Sequence, residues 1–150
     1  MKIVFVFLCL VVLGASSAHA QTSNAVSPVG RWQVKFKLID TSEKNLVFTA
    51  QEGGDGLFQL LDTGPDNKPV ANPHAAAWSF AKGNLSISGE AELQTGACCR
   101  ETGTLIFKAK LTSSNSISGK IIFVTNIDED ESPYKYHATA GTFTATRLTK

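Results

Sequence analysis

The 150-residue sequence has few of the features that staple or anchor a small protein. Its three cysteines are Cys9, Cys98 and Cys99, and they offer no disulfide framework. Its five prolines and twelve glycines form no tract, so extensive disorder is not expected. Stability must therefore come from a hydrophobic core, which a chain of this length can bury.

The sequence also lacks an excess of charge of either sign. It has 14 Lys and Arg residues against 13 Asp and Glu residues, and removal of Lys2 with the leader described next makes the two counts equal. No strong basic field is then available to attract nucleic acid or anionic lipid. Nucleic acid is therefore not an expected partner.

Only one long apolar run is present, and it lies at the N-terminus. Residues 3–13 follow the positive segment Met1-Lys2 and precede Ala18-His19-Ala20, which places small residues where a signal peptidase reads them. The run is shorter than the roughly 20 residues that span a bilayer, although a retained N-terminal membrane helix is the alternative. We predict a signal peptide over residues 1–20 that is cleaved between Ala20 and Gln21. The mature protein is then secreted or periplasmic and has no membrane anchor.

What the sequence does contain is alternation with a period of two residues. The segment "GRWQVKFKL", from Gly30 to Leu38, shows it most clearly. Its apolar positions are Trp32, Val34, Phe36 and Leu38, and its polar positions are Arg31, Gln33, Lys35 and Lys37. This pattern predicts a strand with one face in a core and one face in water.

Seven further segments repeat the alternation, and none shows the helical period. These segments run from Leu46 to Ala50, Leu57 to Leu61, Ala76 to Phe80, Leu85 to Leu93, Leu105 to Leu111, Ile117 to Phe123, and Gly141 to Arg147. Residues 62–74 and 94–102 are two of the longer links, the acidic residues 128–131 lie in the link between the last two segments, and most other links are short turns.

Eight such strands need a common core and protection for their edges. A closed antiparallel meander supplies both, so we predict an all-β, eight-stranded antiparallel barrel. A two-sheet β-sandwich fits the same pattern and is the alternative fold. The barrel is expected to form one domain over residues 29–150, after a flexible segment at residues 21–28.

Three residues near the two chain ends indicate how the barrel is closed. Gly30 and Trp32 form a Gly-x-Trp motif on the first strand, and Arg147 lies on the inward face of the last strand. Together with the eight strands, these residues resemble the lipocalin, or calycin, pattern. They also resemble small secreted bacterial β-barrel proteins that run from Gly-x-Trp to Gly-Thr-Phe-x-Ala-x-Arg. The resemblance implies that Arg147 covers the indole of Trp32 and closes the barrel, in a cation–π contact of about 0.5–2 kcal/mol.

The function depends on what occupies the interior, because an eight-stranded barrel either fills with side chains or holds one small ligand. Four aromatic residues are the predicted ligand-binding set: Trp32, Phe36, Trp78 and Phe80. Small inward residues favour a cavity, whereas aromatic residues on alternating strands also build plain cores. Two functions therefore remain. One is a binding module for a small apolar ligand or a partner protein, and the other is a structural or interaction module with a filled barrel.

The adjacent cysteines Cys98 and Cys99 allow three interpretations. A trans peptide holds neighbouring Cα atoms about 3.8 Å apart, below the usual disulfide range of about 4.4–6.8 Å. A vicinal disulfide would therefore be strained and easily reduced. Two free thiols and bridges to other molecules are the alternatives, and the Cys-Cys-Arg-Glu run is a weak metal signal.

No catalytic motif is visible in the sequence. His74 and His137 belong to no nucleophile or zinc motif and are interpreted as surface residues. The four carboxylates at residues 128–131 point in diverging directions along one turn, which favours solvation over calcium binding. We therefore predict no catalytic residue, no metal and no cofactor, and an enzyme is the least favoured class.

Overall fold

The protein is an eight-stranded closed β-barrel. The computed structural model describes residues 26–39, 41–61, 73–94, 100–111, 113–126 and 136–149. The strands are β1 (Gly30–Leu38), β2 (Lys44–Ala50), β3 (Asp55–Leu60), β4 (His74–Ala81), β5 (Asn84–Gln94), β6 (Arg100–Leu111), β7 (Ser116–Asn126) and β8 (Tyr136–Arg147), with a 3₁₀ turn at Glu52–Gly54.

Every strand pairs antiparallel with its neighbours in the sequence, and β1 closes the barrel by pairing with β8. Trp32 lies opposite Arg147 and Leu38 lies opposite Gly141 in that closing pair. The predicted barrel is therefore confirmed, and the sandwich alternative is wrong because all eight strands share one sheet.

Two strands, β6 and β8, begin more than one period of the alternation before their predicted first residue. β6 begins at Arg100, inside the predicted link, and Glu101 pairs with Leu93. β8 begins at Tyr136, and Ala138 pairs with Val124. Backbone hydrogen bonds to an already formed neighbour support these ends, so the strands continue through polar and small residues that show no alternation.

The core is the column of inward-facing side chains along the barrel axis. Phe107 is at its centre, and its ring centroid lies 6.2 Å from that of Phe36, 5.6 Å from Phe58 and 5.0 Å from Phe143. The three contacts are edge-to-face, the arrangement that aromatic quadrupoles favour. Aromatic rings from four different strands therefore meet in the middle of the barrel.

A glycine on β5 makes room for one of these rings. A Cβ placed on Gly89 would lie 2.7 Å from Cε2 of Phe58 and 2.8 Å from the carbonyl oxygen of Ala75. Both distances are too short for a side chain, so the ring of Phe58 packs directly over the Gly89 backbone. The small residues on the inner face thus accommodate large neighbours.

The strand directions define two ends of the barrel. We call the end that carries Trp32, Arg147 and the Glu52–Gly54 turn the closed end. The opposite end, which we call the open end, carries the last residue of β1, Leu38, and the first residue of β2, Lys44. The two ends differ in how they are filled, which decides where a ligand has room.

Candidate functional site

Gly30, Trp32 and Arg147 meet at the closed end. The guanidinium carbon of Arg147 lies 4.2 Å from the centroid of the Trp32 ring. Trp32 is fully buried, and its Nε1 donates a hydrogen bond of 2.7 Å to the carbonyl oxygen of Pro28. Gly30 has φ +130°, and a Cβ there would lie 2.6 Å from Nη1 of Arg147. Glycine therefore suits this position both in conformation and in space.

Arg147 also ties three chain segments together. Its Nε donates to the carbonyl oxygen of Ser114, its Nη1 to that of Val29 and its Nη2 to that of Ser27, each at 2.6 Å. The planar guanidinium has donors in the directions that these three carbonyls require. The closed end is thus a structural plug held by Arg147.

Substitution of Arg147 by lysine is expected to lower the free energy of unfolding by about 2 kcal/mol, because one ammonium cannot reach three diverging carbonyls. Urea unfolding followed by circular dichroism measures this loss. Arg31→Lys is the matched control, since Arg31 is exposed on the outer face of β1 and should change stability by less than about 0.5 kcal/mol. An equal loss of unfolding free energy in the two variants would contradict the stabilising role of the three hydrogen bonds that the Arg147 guanidinium donates.

The middle of the barrel is filled by side chains. The central cavity has a volume of about 10 Å³, so it holds at most one water molecule. Of the four predicted ligand-binding aromatic residues, Trp32 lines this cavity, whereas Phe36, Trp78 and Phe80 do not. The structure therefore does not bring these four residues together around one space.

Trp78 and Phe80 lie in the wall of the barrel instead. Trp78 is half-buried, and its Nε1 donates to the carbonyl oxygens of Gln51 and Asp55, both at 2.9 Å. The second tryptophan thus holds the connection between β2 and β3. Phe80 is also half-buried and packs against the core cluster.

A pocket with room for a small molecule lies at the open end. Its volume is about 240 Å³, and we call it the open-end pocket. Its lining residues are Ile39, Thr41, Glu101, Phe123, Thr125, His137 and Thr139. Phe123 and Thr125 are its buried part, with 1% and 5% of their surface exposed, and Glu101 and His137 are exposed at its rim.

The register of β7 against β8 builds this pocket. Phe123 lies opposite Thr139, and Thr125 lies opposite His137. The Thr125 hydroxyl donates to the carbonyl oxygen of His137 at 3.5 Å. Because alternate residues of a strand share a face, these positions continue the inner faces of both strands beyond the aromatic core. The pocket thus combines an aromatic floor with hydroxyl, carboxylate and imidazole groups.

The chemistry of the open-end pocket suits binding. Threonine hydroxyls, a carboxylate and an imidazole can donate and accept hydrogen bonds to a small molecule. Within the described residues, no three His, Cys, Asp or Glu side chains are grouped as a metal site. Along the same parts of the chain, no helix is long and apolar enough to cross a membrane.

Sequence reasoning missed most of this pocket. His137 was interpreted as a surface residue and is exposed, but it also lines the pocket rim. Glu101 fell in a predicted link, and Thr125 and Thr139 lay beyond the apolar alternation. The available signal was the continuation of the two-residue period from Ile121 and Phe123 to a polar residue, Thr125.

Other predicted features lie elsewhere. His74 is the first residue of β4 and is half-buried. The adjacent cysteines, Cys98 and Cys99, and the acidic turn at residues 128–131 lie outside the described residues.

Comparison with known proteins identifies the fold. No protein-family model matches the chain, and no curated protein matches its sequence. The structure of EF1p2_mFAP2b bound to DFHBI aligns with a TM-score of 0.51 and 16% identity, over 80% of this chain and 93% of that chain. The fold shared with that structure is an eight-stranded β-barrel.

Two further solved structures are more distant. The rhizavidin–biotin complex aligns with a TM-score of 0.44 and 12% identity, over 83% of this chain and 99% of that chain. A second rhizavidin structure aligns with a TM-score of 0.41 and 11% identity, over 79% of this chain and 84% of that chain.

Proposed function

We propose that this chain is an exported binding module that holds a small ligand at the open end of a filled barrel. The proposal rests on the difference in volume between the open-end pocket and the central cavity. The open-end pocket measures about 240 Å³, whereas the central cavity measures about 10 Å³. Export rests on the signal-peptide pattern of residues 1–20.

The lining of the pocket indicates the chemistry of the ligand. Phe123 and Ile39 offer apolar surface, and Glu101, His137 and the threonine hydroxyls offer hydrogen bonds. Ligand pockets typically measure about 300–1,000 Å³, so this pocket suits a molecule below ordinary drug size. The proposed ligand is therefore small and amphipathic, with its apolar part on Phe123 and its polar part at the rim.

The likeness in fold is a second, weaker support. EF1p2_mFAP2b is an eight-stranded barrel that was solved with DFHBI bound. A barrel of this class can therefore carry a small molecule. At 16% identity the likeness extends to the fold and does not indicate which ligand this chain binds.

Blocking the pocket tests the proposal. We expect some members of a panel of short fatty acids, aromatic carboxylates and aromatic amines to shift backbone NMR signals of Thr125, His137 and Thr139. Thr139→Phe should abolish these shifts, because the ring occupies the pocket that Thr139 lines. Ala138→Phe is the matched control, since Ala138 is exposed on the opposite face of the same strand.

Two results would overturn the proposal. One is a panel in which no member causes saturable shifts at the pocket residues. The other is an equal loss of shifts in Thr139→Phe and Ala138→Phe. Tryptophan emission is a poorer readout, because Trp32 and Trp78 lie towards the closed end and do not line the pocket.

A filled-barrel interaction module is the second candidate. It is favoured by two exposed isoleucines, since Ile122 on the outer face of β7 and Ile39 just after β1 have 38% and 62% of their surface exposed. Ile106 lies directly opposite Ile122 and extends this apolar surface. If this candidate is correct, the small-molecule panel gives no saturable shift and Ile122→Thr weakens the capture of a protein partner.

A further inference from the structure

Three lysines converge on the outer face of the barrel, away from the open-end pocket. Lys108 and Lys110 on β6 and Lys120 on β7 line a shallow groove of about 1110 Å³ that crosses β4 to β8. We call it the lysine groove. Lys82, in the turn between β4 and β5, lies at its margin.

The register sets like charges against each other in this groove. Lys108 lies directly opposite Lys120, and Lys110 lies opposite Ser118. Like charges in directly opposed positions destabilise a sheet. Lysines often protect sheet edges from aggregation, but a closed barrel has no edge to protect. The stability of the sheet therefore does not explain why Lys108 and Lys120 lie opposite each other.

The charge in the groove is not balanced locally. Among the described residues that line the groove there is no carboxylate. Lys108 donates from Nζ to the hydroxyl of Ser86 at 2.6 Å, and the ion pair between described residues, Arg100 with Glu92, lies towards the other end of β5 and β6. The sequence is neutral as a whole after loss of the leader, but the fold collects positive charge on this surface.

We infer that the lysine groove binds an anionic carbohydrate chain. Ammonium groups pair with the carboxylate or sulfate groups of such a chain. Hydroxyl groups of Ser118, Thr142 and Thr144 line the groove between the lysines and can bond to sugar hydroxyls. Ala109 and Gly119 line the groove between the lysines, and neither projects a large side chain into it, since Ala109 packs against the core.

The same lining disfavours other polyanions. Its aromatic residue, Phe143, is 4% exposed, so the groove offers no stacking platform for nucleobases. Its surface is concave, and the large apolar side chains among its described lining residues, Leu85 and Phe143, are buried and would not enter a bilayer. A flexible anionic chain fits this shape better than a flat membrane does.

The test compares two triple substitutions with equal changes in charge. The groove variant carries Lys108→Thr, Lys110→Thr and Lys120→Thr, and the control carries Arg31→Thr, Lys35→Thr and Lys37→Thr on the exposed face of β1. Threonine favours strands, so both variants should fold, and circular dichroism checks this. Calorimetry then measures binding of polygalacturonate oligosaccharides, with neutral dextran as the reference probe.

We expect the wild-type protein to bind polygalacturonate and not dextran, with an affinity that falls as salt is added. The groove variant should lose about tenfold or more in affinity, and the control less than about threefold. The Thr139→Phe variant should bind polygalacturonate like the wild type, which separates this inference from the proposed function.

Three results would overturn the inference. The first is no binding of polygalacturonate by the folded wild-type protein. The second is an equal loss in the groove variant and the control, which would indicate a general charge effect. The third is tighter binding of single-stranded DNA, or of vesicles containing anionic lipid, than of polygalacturonate at the same salt concentration.

Discussion

Replacing Trp32 by alanine is expected to lower the free energy of unfolding by about 4 kcal/mol. The indole is fully buried, donates to the carbonyl oxygen of Pro28 and lies under the guanidinium of Arg147. Its loss removes the apolar burial, the hydrogen bond and the cation–π contact together. Because small domains are stable by only about 5–15 kcal/mol, the loss should be visible as a large fall in the urea midpoint.

Trp78→Ala is the matched control for this prediction. Trp78 is also an indole that donates to carbonyl oxygens, but it is half-buried in the wall of the barrel. We expect roughly half the loss of Trp32→Ala, because less surface is removed from the core. If Trp32→Ala does not fold, Trp32→Phe gives the comparison with a smaller cavity. Equal losses at Trp32 and Trp78 would contradict the role of the closed-end plug.

Replacing Phe107 by alanine is expected to cost about 4 kcal/mol and to convert the filled barrel into a hollow one. Phe107 contacts the rings of Phe36, Phe58 and Phe143, and it lines the cavity of about 10 Å³. Removal of its ring leaves an apolar space of the kind that stays dry and binds benzene. Benzene should therefore raise the Tm of Phe107→Ala and leave that of the wild type unchanged.

Phe80→Ala is the control for the hollow-barrel prediction. Phe80 is half-buried and does not line the central cavity. Its loss should destabilise the protein by less than that of Phe107, and benzene should not restore the Tm. A rise in the Tm of the wild-type protein with benzene would show that its centre is not filled as described.

These predictions follow from a division of the barrel into zones. Trp32 and Arg147 stabilise the closed end, and aromatic rings fill the middle. The open-end pocket offers the space for a small molecule, and the lysine groove lies on the outer face. Substitutions at the closed end and in the middle of the barrel should change stability, whereas those in the open-end pocket and the lysine groove should change binding.

The predicted strands agree with the structure where burial in the core produces the apolar alternation. β1 begins at Gly30 and ends at Leu38, as the alternation from Trp32 to Leu38 indicated. The early parts of β6 and β8 escaped prediction, because Glu101 and Thr139 belong to strands through their partners and not through their own apolar period. Strand ends of this kind are set by pairing with a neighbour, which local sequence does not show.

The closed end was more predictable than the open-end pocket. Gly30, Trp32 and Arg147 carried a recognisable resemblance, and the structure places them in contact. The pocket is built from Glu101, Thr125, Thr139 and others that share no motif. Their side chains come together because separate strands end at the same rim.

The sequence by itself determined that this chain forms strands with alternating faces, since a two-residue period is a local property that a single strand displays. Closure of these strands into a barrel, and not into a β-sandwich, was decided by the tertiary structure. Tertiary structure decided what the barrel contains and what its surface carries. The side chains of Phe58 and Phe107 meet across the axis only at this register, and Lys108 faces Lys120 only because β6 and β7 pair as they do. Register and closure depend on contacts between residues far apart in the chain. Register and closure in turn determine where the barrel leaves a pocket and where its charged side chains cluster.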